Sequence, residues 1–241
     1  MAGAFVAVAD DATAAYWNPA GLATGRLLSA NIDHREAEGD TGGFVGLSMP
    51  VVALSYYRLR FSSRQDPGTV VVSTHNAGLS LAQSLTDVIA VGTTLRFSHR
   101  MRSAIDVDAG VLAVTGAVRI GVGTRNLRRA FDSTRTVRAG IAWRPDGALT
   151  VGLDADLTVS RAGRAAERVR SLAAGVERTI GTRAAARGGL RASLAGPASP
   201  LVSVGGSALV WGSLWVDGYG AVGIGNRDRG WGFGARLALG N

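Results

Sequence analysis

Residues 149–158, LTVGLDADLT, alternate one apolar side chain with one polar one: Leu149, Val151, Leu153, Ala155 and Leu157 against Thr150, Gly152, Asp154, Asp156 and Thr158. A period of two places these sets on opposite faces of a β-strand, whereas a helix would scatter both around its surface. The pattern recurs. Val137, Ala139, Ile141 and Trp143 oppose Arg138, Gly140, Ala142 and Arg144, and Val118, Ile120 and Val122 oppose Arg119, Gly121 and Gly123. Near the end, Trp231, Phe233, Ala235, Leu237 and Leu239 oppose Gly232, Gly234, Arg236 and Ala238. Reading the 241 residues this way predicts about fourteen strands of roughly 8–12 residues, the length of a tilted strand crossing a bilayer. Their cores are 27–34, 43–49, 51–61, 69–82, 88–99, 104–114, 117–125, 135–144, 148–158, 169–178, 182–194, 202–210, 213–224 and 230–239.

The connections carry a second signal. Longer polar joins (REAEGDTG, SSRQDPG, NLRRAFDST, SRAGRAAE, LAGPASPL, NRDRG) alternate with tight turns (MP, SLTD, TG, RPDG, TIG, WGS), and only the join near Met101 is shorter than the pattern asks. An up-and-down barrel with tight turns at one rim and loops at the other produces this asymmetry, and an even strand number returns both chain ends to one rim.

A soluble sandwich also alternates, but its inner face is built from large apolar side chains. Here the apolar face mixes Val and Leu with many Ala and Gly. The other face concentrates charge: Arg58, Arg60, Arg96, Arg119, Arg138, Arg144, Arg187, Arg191 and Arg236 with Asp106, Asp108, Asp154, Asp156, Glu177 and Asp217. In a membrane barrel that face lines a lumen where charges pair and stay hydrated.

Other chemistry is weakly signalled. The net charge of +8 comes entirely from Arg, since the chain has no Lys, and the Arg residues are spread along apolar segments with no basic tail or aromatic-interleaved stripe for nucleic acid. Without Cys, thiol catalysis and Cys-ligated metal are excluded. His34, His75 and His99 lack metal-ligand spacing and read as exposed strand residues. GVGTRN and GIGNRDRGWG open no helical pattern, so a dinucleotide site is not indicated; Gly there suits close backbone approach or strand bending. The pairs Asp106/Asp108 and Asp154/Asp156 read as salt-bridged wall. No nucleophile–base arrangement marks an enzyme, and no cofactor is implied.

The opening stretch GAFVAVADDATAAYWNPAGLA resembles the N-terminal signature of the FadL-type (long-chain fatty-acid transporter) outer-membrane proteins. It equally resembles the related PorV-type barrels, which serve a bacterial secretion system. The shared features are a glycine-rich lead, an acidic ADDA and an NPA motif just before the first strand. AVRIGVGTRNL and RTVRAGIAWRPDGALTVGLDADLT resemble stretches of the same superfamily. The resemblance implies an all-β, membrane-spanning, antiparallel barrel of 14 strands in the bacterial outer membrane. It implies that residues 1–25 form a hatch at the periplasmic side, that a signal peptide precedes Met1, and that 26–241 form the barrel. Carried over, the hatch positions are Asp10, Asp11, Asn18, Pro19 and Ala20. Two functions follow as expectations. One is a passive conduit for small hydrophobic or anionic amphipathic molecules, gated by the hatch. The other is a non-transporting barrel that anchors or hands over secreted proteins. Outer-membrane lipid is a partner in both. The chain departs from the fatty-acid transporters in its short outer loops, about ten residues at most, and it ends in LALGN without a terminal aromatic.

Overall fold

The computed structural model describes residues 1–37, 40–65, 68–132, 134–162, 167–195, 199–225 and 229–240. Their strands are β1 (Leu28–Ala37), β2 (Asp40–Met49), β3 (Val52–Gln65), β4 (Gly68–Ser84), β5 (Ile89–His99), β6 (Ser103–Thr115), β7 (Val118–Arg125), β8 (Thr136–Asp146), β9 (Leu149–Asp156), β10 (Ser160–Ala162), β11 (Glu167–Ile180), β12 (Ala184–Ala195), β13 (Leu201–Trp211), β14 (Leu214–Gly223) and β15 (Arg229–Leu239). Each long strand pairs antiparallel with its sequence neighbours, and β15 returns to β1, from Leu28 opposite Leu239 to Ala37 opposite Gly230. The three-residue β10 pairs only with the start of β11, while β11 continues the wall by pairing with β9. The result is a closed barrel of 14 strands, with β10 lying within a join that the sequence reads as wholly irregular.

Alternation explains the wall. On β9, Leu153 is 44% exposed and its neighbour Asp154 is 2% exposed. Ile120, Ile141, Val176 and Leu190 are likewise exposed on the outside, at positions alternating with Arg119, Ala142, Gly175 and Gly189 on the inside. A band of exposed Leu, Val and Ile on a closed wall is stable in hydrocarbon and unstable in water. Tight turns close one rim, where Gly116 and Gly181 take φ of +53° and +61°, a left-handed backbone that glycine adopts without a Cβ penalty. The longer joins gather at the other rim.

Two sequence expectations fail here. Arg58 and Arg60 share the parity of Leu54 and Tyr56, both exposed on the outer face, whereas Tyr57 on the opposite parity is buried. Both arginines are therefore outside the barrel, on the loop side of the exposed Leu47, Leu54 and Leu79, with Arg58 on a register line that runs through His75 to His99 at the β5–β6 join. Charge alone suggested the lumen, but beyond the apolar band a long Arg side chain can hold its guanidinium in a polar layer. The stretch YYRLRF gives no clean alternation to decide the matter, because aromatic residues stand on both faces.

Leu153→Arg, in mid-strand on the lipid side, is expected to cost about 2–4 kcal/mol of folding free energy, measured by denaturant titration of refolding into lipid vesicles. Asp154→Asn should cost less, and the reverse order would invert the face assignment.

Candidate functional site: the filled lumen

The chain before β1 runs through the barrel interior. It contains a single-turn helix α1 (Ala14–Trp17) and a 3₁₀ helix (Pro19–Thr24), joined at Asn18. Pro19 disfavours a helical backbone at the preceding residue, and Asn18 is extended (φ −159°, ψ 103°). Ala4, Ala7, Ala12, Ala14, Asn18 and Ala20 have no exposed surface. Small side chains let this segment lie flat, and the wall meets it with glycine. A Cβ at Gly121 would sit 2.6 Å from the Val6 carbonyl oxygen, and one at Gly189 would lie 2.5 Å from the Met1 carbonyl carbon. At Gly92 a Cβ would collide with the backbone of Pro19, and at Gly110 with the side-chain oxygen of Asn18. Register explains how these separate glycines form a surface: Gly92 faces Gly110, Gly110 faces Gly123, Gly121 faces Gly140, and Gly152, Gly175 and Gly189 face one another in turn. Side-chain-free patches thus run along the inner wall from β5 to β12.

Polar groups tie the segment to this wall. Arg144 donates to Asp10 at 2.6 Å and to the Val8 carbonyl at 2.6 Å. Arg119 lies 3.6 Å from Asp10 and donates to the Ala7 carbonyl at 2.8 Å. Asp154 accepts the backbone N–H groups of Phe5 at 2.7 Å and Val6 at 2.9 Å. Asn18 donates to the Val6 and Val111 carbonyls at 3.0 and 3.1 Å and accepts the Ala20 N–H at 3.2 Å. Among the described residues, Asp11 forms no ion pair with an arginine. It accepts from the Thr13 N–H at 2.9 Å and from the Asn31 amide at 3.0 Å, and burial pushes its carboxyl above the usual range. Such bonds matter because a buried polar group left unpaired costs more than the pair gains.

Toward the loop rim the segment presents aromatic rings. Tyr16 meets Trp17 and Tyr57 edge-on at 5.1 and 5.4 Å, and Phe5 packs on Trp17 at 5.2 Å. Arg125 lies 4.0 Å above the Tyr16 ring, and Arg138 is 5.9 Å from that of Trp17. The Arg125 charge pulls the Tyr16 phenol down to about 8. Between these groups is a cavity of about 170 Å³ lined by Val6, Tyr16, Trp17, Arg125, Arg138 and Asp156, among others. Its aromatic floor and cationic side could hold a small ring or an amphiphile.

The inner wall itself is a set of ion pairs. Arg96 bridges Asp108 at 3.2 Å and Asp106 at 3.8 Å, and donates to the Tyr57 hydroxyl at 2.9 Å. Asp106 also accepts the Arg128 and Ala130 N–H groups at 2.9 and 3.0 Å, while Asp108 accepts that of Asn126 at 2.9 Å, so both carboxylates anchor the β7–β8 loop. Arg138 pairs with Asp156 at 2.6 Å. Arg187 joins Glu177 at 3.2 Å and Asp217 at 2.9 Å, and Asp217 also faces Arg236 at 3.4 Å. Arg191 shares the inward parity of Arg187 but is open to solvent. Apart from Arg58 and Arg60, the predicted lumen residues thus stand on the inner face. Pairing divides them: Arg119, Arg144 and Asp154 hold the N-terminal segment, and the others, Arg191 apart, brace the wall or its loop. Sequence reasoning missed the loop anchoring, the role of Asp154 as acceptor for backbone N–H groups, and the glycine patches; for the last the signal was present as Gly at inward-parity positions of consecutive strands.

Two outcomes follow. Gly121→Val should overpack the contact with Val6 at a cost of about 1–3 kcal/mol, making residues 1–24 at least about fivefold more sensitive to protease while the barrel stays folded. A phenol whose folded value lies below its unfolded value of about 10 contributes stability above pH 10 that is lost as pH falls through about 8. Protection of the segment should therefore rise between those pH values, with a tyrosinate absorbance step near pH 8, and Tyr16→Phe should remove both.

No family model and no curated protein matches the sequence. Solved structures do match the fold. The monoaromatic hydrocarbon channel CymD superposes with a TM-score of 0.73 at 11% identity, covering 98% of this chain and 94% of its own. The toluene transporter TbuX of Ralstonia pickettii gives 0.71 at 12% identity, covering 95% and 94%. A FadL homologue of Pseudomonas aeruginosa gives 0.68 at 10% identity, covering 98% and 96%. In fold, this closed 14-stranded barrel is similar to those FadL-type structures.

Proposed function

We propose that the protein is an outer-membrane conduit for small hydrophobic or amphipathic molecules, with residues 1–25 as the hatch that closes its lumen. The carrying observation is the lodging of this segment against side-chain-free wall, with its carboxylate Asp10 shared by Arg119 and Arg144. A covalently tethered segment held by separable polar bonds can leave or shift without unfolding the wall. The aromatic cavity on its loop side supplies a first resting place for a ring-bearing solute. The structural neighbours that carry hydrocarbons, CymD and TbuX, support the same reading. On this reading the tight-turn rim faces the periplasm, as short turns do in such barrels.

The short loops favour a second reading, a barrel that anchors or hands over secreted proteins, since they offer little surface for capturing a solute. Planar-bilayer conductance separates the two. A barrel of 14 strands falls between filled 8-stranded and open 16-stranded ones, so deletion of residues 1–20 should open a water path and raise conductance. Anions should be preferred, because loss of Asp10 frees Arg119 and Arg144. Asp10→Asn should give a smaller increase. Equal conductance with and without the segment would remove the hatch and leave the anchor.

A further inference from the structure

The outer face carries an arrangement that neither the lumen nor the hatch uses. The three histidines, far apart in sequence, stand on one register line. His34 is opposite Gly43, Gly43 opposite Arg58, Arg58 opposite His75, His75 opposite His99, and His99 opposite Ser103. Neighbours on such a line are about 4.8 Å apart, so Arg58 and His75 can meet a single phosphate. Both are held in place. Arg58 donates to Ser73 at 3.4 Å, and the Tyr56 hydroxyl bonds Nδ1 of His75 at 2.7 Å, which leaves Nε2 as the nitrogen to meet a ligand. Arg60 stands two residues nearer the loop rim, and Arg100 and Arg102 are exposed in the β5–β6 join beside His99. Among the described residues, Glu36, at the β1 end, is an acidic neighbour on this face.

One step of two residues toward the tight-turn rim, about 7 Å, the next line is Val45, Tyr56, Ala77, Phe97 and Ile105; the line after it is Leu47, Leu54, Leu79 and Leu95. The surface thus passes from cationic to aromatic to aliphatic within two steps. Because Ala77 is small between Tyr56 and Phe97, the wall is hollowed there into a groove of about 450 Å³ lined by Val45, Leu47, Leu54, Tyr56, Leu79 and Phe97. A free anion would use the cations and ignore the groove, and an uncharged oil would do the opposite. The geometry points to a lipid-binding site on β2–β5 that takes the phosphate of a lipid in the loop-side leaflet on Arg58, Arg60 and His75, with an acyl chain in the groove. Clustered basic residues at a bilayer surface attract anionic headgroups in this way, and Arg matches phosphate geometry with paired donors. The site is independent of what passes through the lumen.

The test uses the full-length barrel purified in detergent, with lipid retention read by native mass spectrometry. Dioleoyl phosphatidic acid, dioleoyl phosphatidylcholine and inorganic phosphate are the probes. Phosphatidic acid should be retained at about tenfold lower concentration than phosphatidylcholine, the weight of one charge-assisted hydrogen bond. Arg58→Gln with Arg60→Gln should erase that preference. Arg178→Gln, which removes an exposed outer charge near the opposite rim, should leave it intact. Heat-modifiable gel migration checks folding, and if the double variant does not fold, His75→Gln and Arg58→Lys should each weaken the preference several-fold. A preference that survives these changes overturns the site, as does equal loss in Arg178→Gln. Competition by inorganic phosphate as effective as that by lipid would overturn the lipid assignment.

Discussion

Everything in this molecule rests on the closure of one hydrogen-bonded ring. A strand in hydrocarbon has no water to satisfy its N–H and C=O groups, so an open sheet edge cannot persist there. Pairing β15 with β1 and β11 with β9 removes both edges. Closure also fixes what the side chains may be. Every second residue must tolerate lipid, every other one must tolerate the interior, and the same alternation repeats on strand after strand. The abundance of small residues has its reason here, since an interior face need not fill a core with large side chains when another segment of the chain fills it.

That interior poses an electrostatic problem with an economical solution. Arginines brought into a narrow lumen would repel one another, yet they alternate around the wall with carboxylates from neighbouring strands: Arg96 with Asp106 and Asp108, Arg138 with Asp156, Arg187 with Glu177 and Asp217. Arg119 and Arg144 find their carboxylate in the N-terminal segment instead. Among the described residues, the wall's own carboxylates pair with Arg96, Arg138 and Arg187, and where Arg119 and Arg144 are paired from the N-terminal segment instead, that segment docks.

The barrel was legible in the sequence because a period of two survives every substitution that keeps its face, as on β7, β8 and β9. Strand number and loop asymmetry followed from counting. What the sequence could not give was the cross-strand surroundings of each arginine. Arg58 takes the outward parity of β3, while Arg119, one residue past the tight turn into β7, points inward to Asp10 and the Ala7 carbonyl. Those surroundings come from register, a relation between residues distant in sequence. For the same reason the common line of His34, His75 and His99, and the alignment of Gly92, Gly110 and Gly123, are invisible in linear spacing. Asp154 misled differently. Its neighbour Asp156 pairs with arginine as paired charges suggest, while Asp154 takes two backbone N–H groups, partners that sequence does not mark.

The proposed hatch has a further property that follows from where its contacts lie. Its tight-turn side is backbone on glycine, a fit of shape that no solute can imitate. Its loop side is different: Arg125 over Tyr16 and Arg138 near Trp17 are contacts between hatch and wall, and the same four side chains line the cavity. A solute bearing a ring or an anion in that cavity would compete for the two guanidinium groups that the hatch aromatics use. Each such cation–π contact contributes about 0.5–2 kcal/mol depending on desolvation, so an occupant replacing both could shift a hatch equilibrium by an order of magnitude or more, provided it binds the displaced arrangement more tightly than the closed one. The Asp10 ion pairs, on the far side of the segment, would not feel the solute directly. Loosening would therefore begin at α1 and reach Asp10 last, an order imposed by the position of the cavity relative to the anchor.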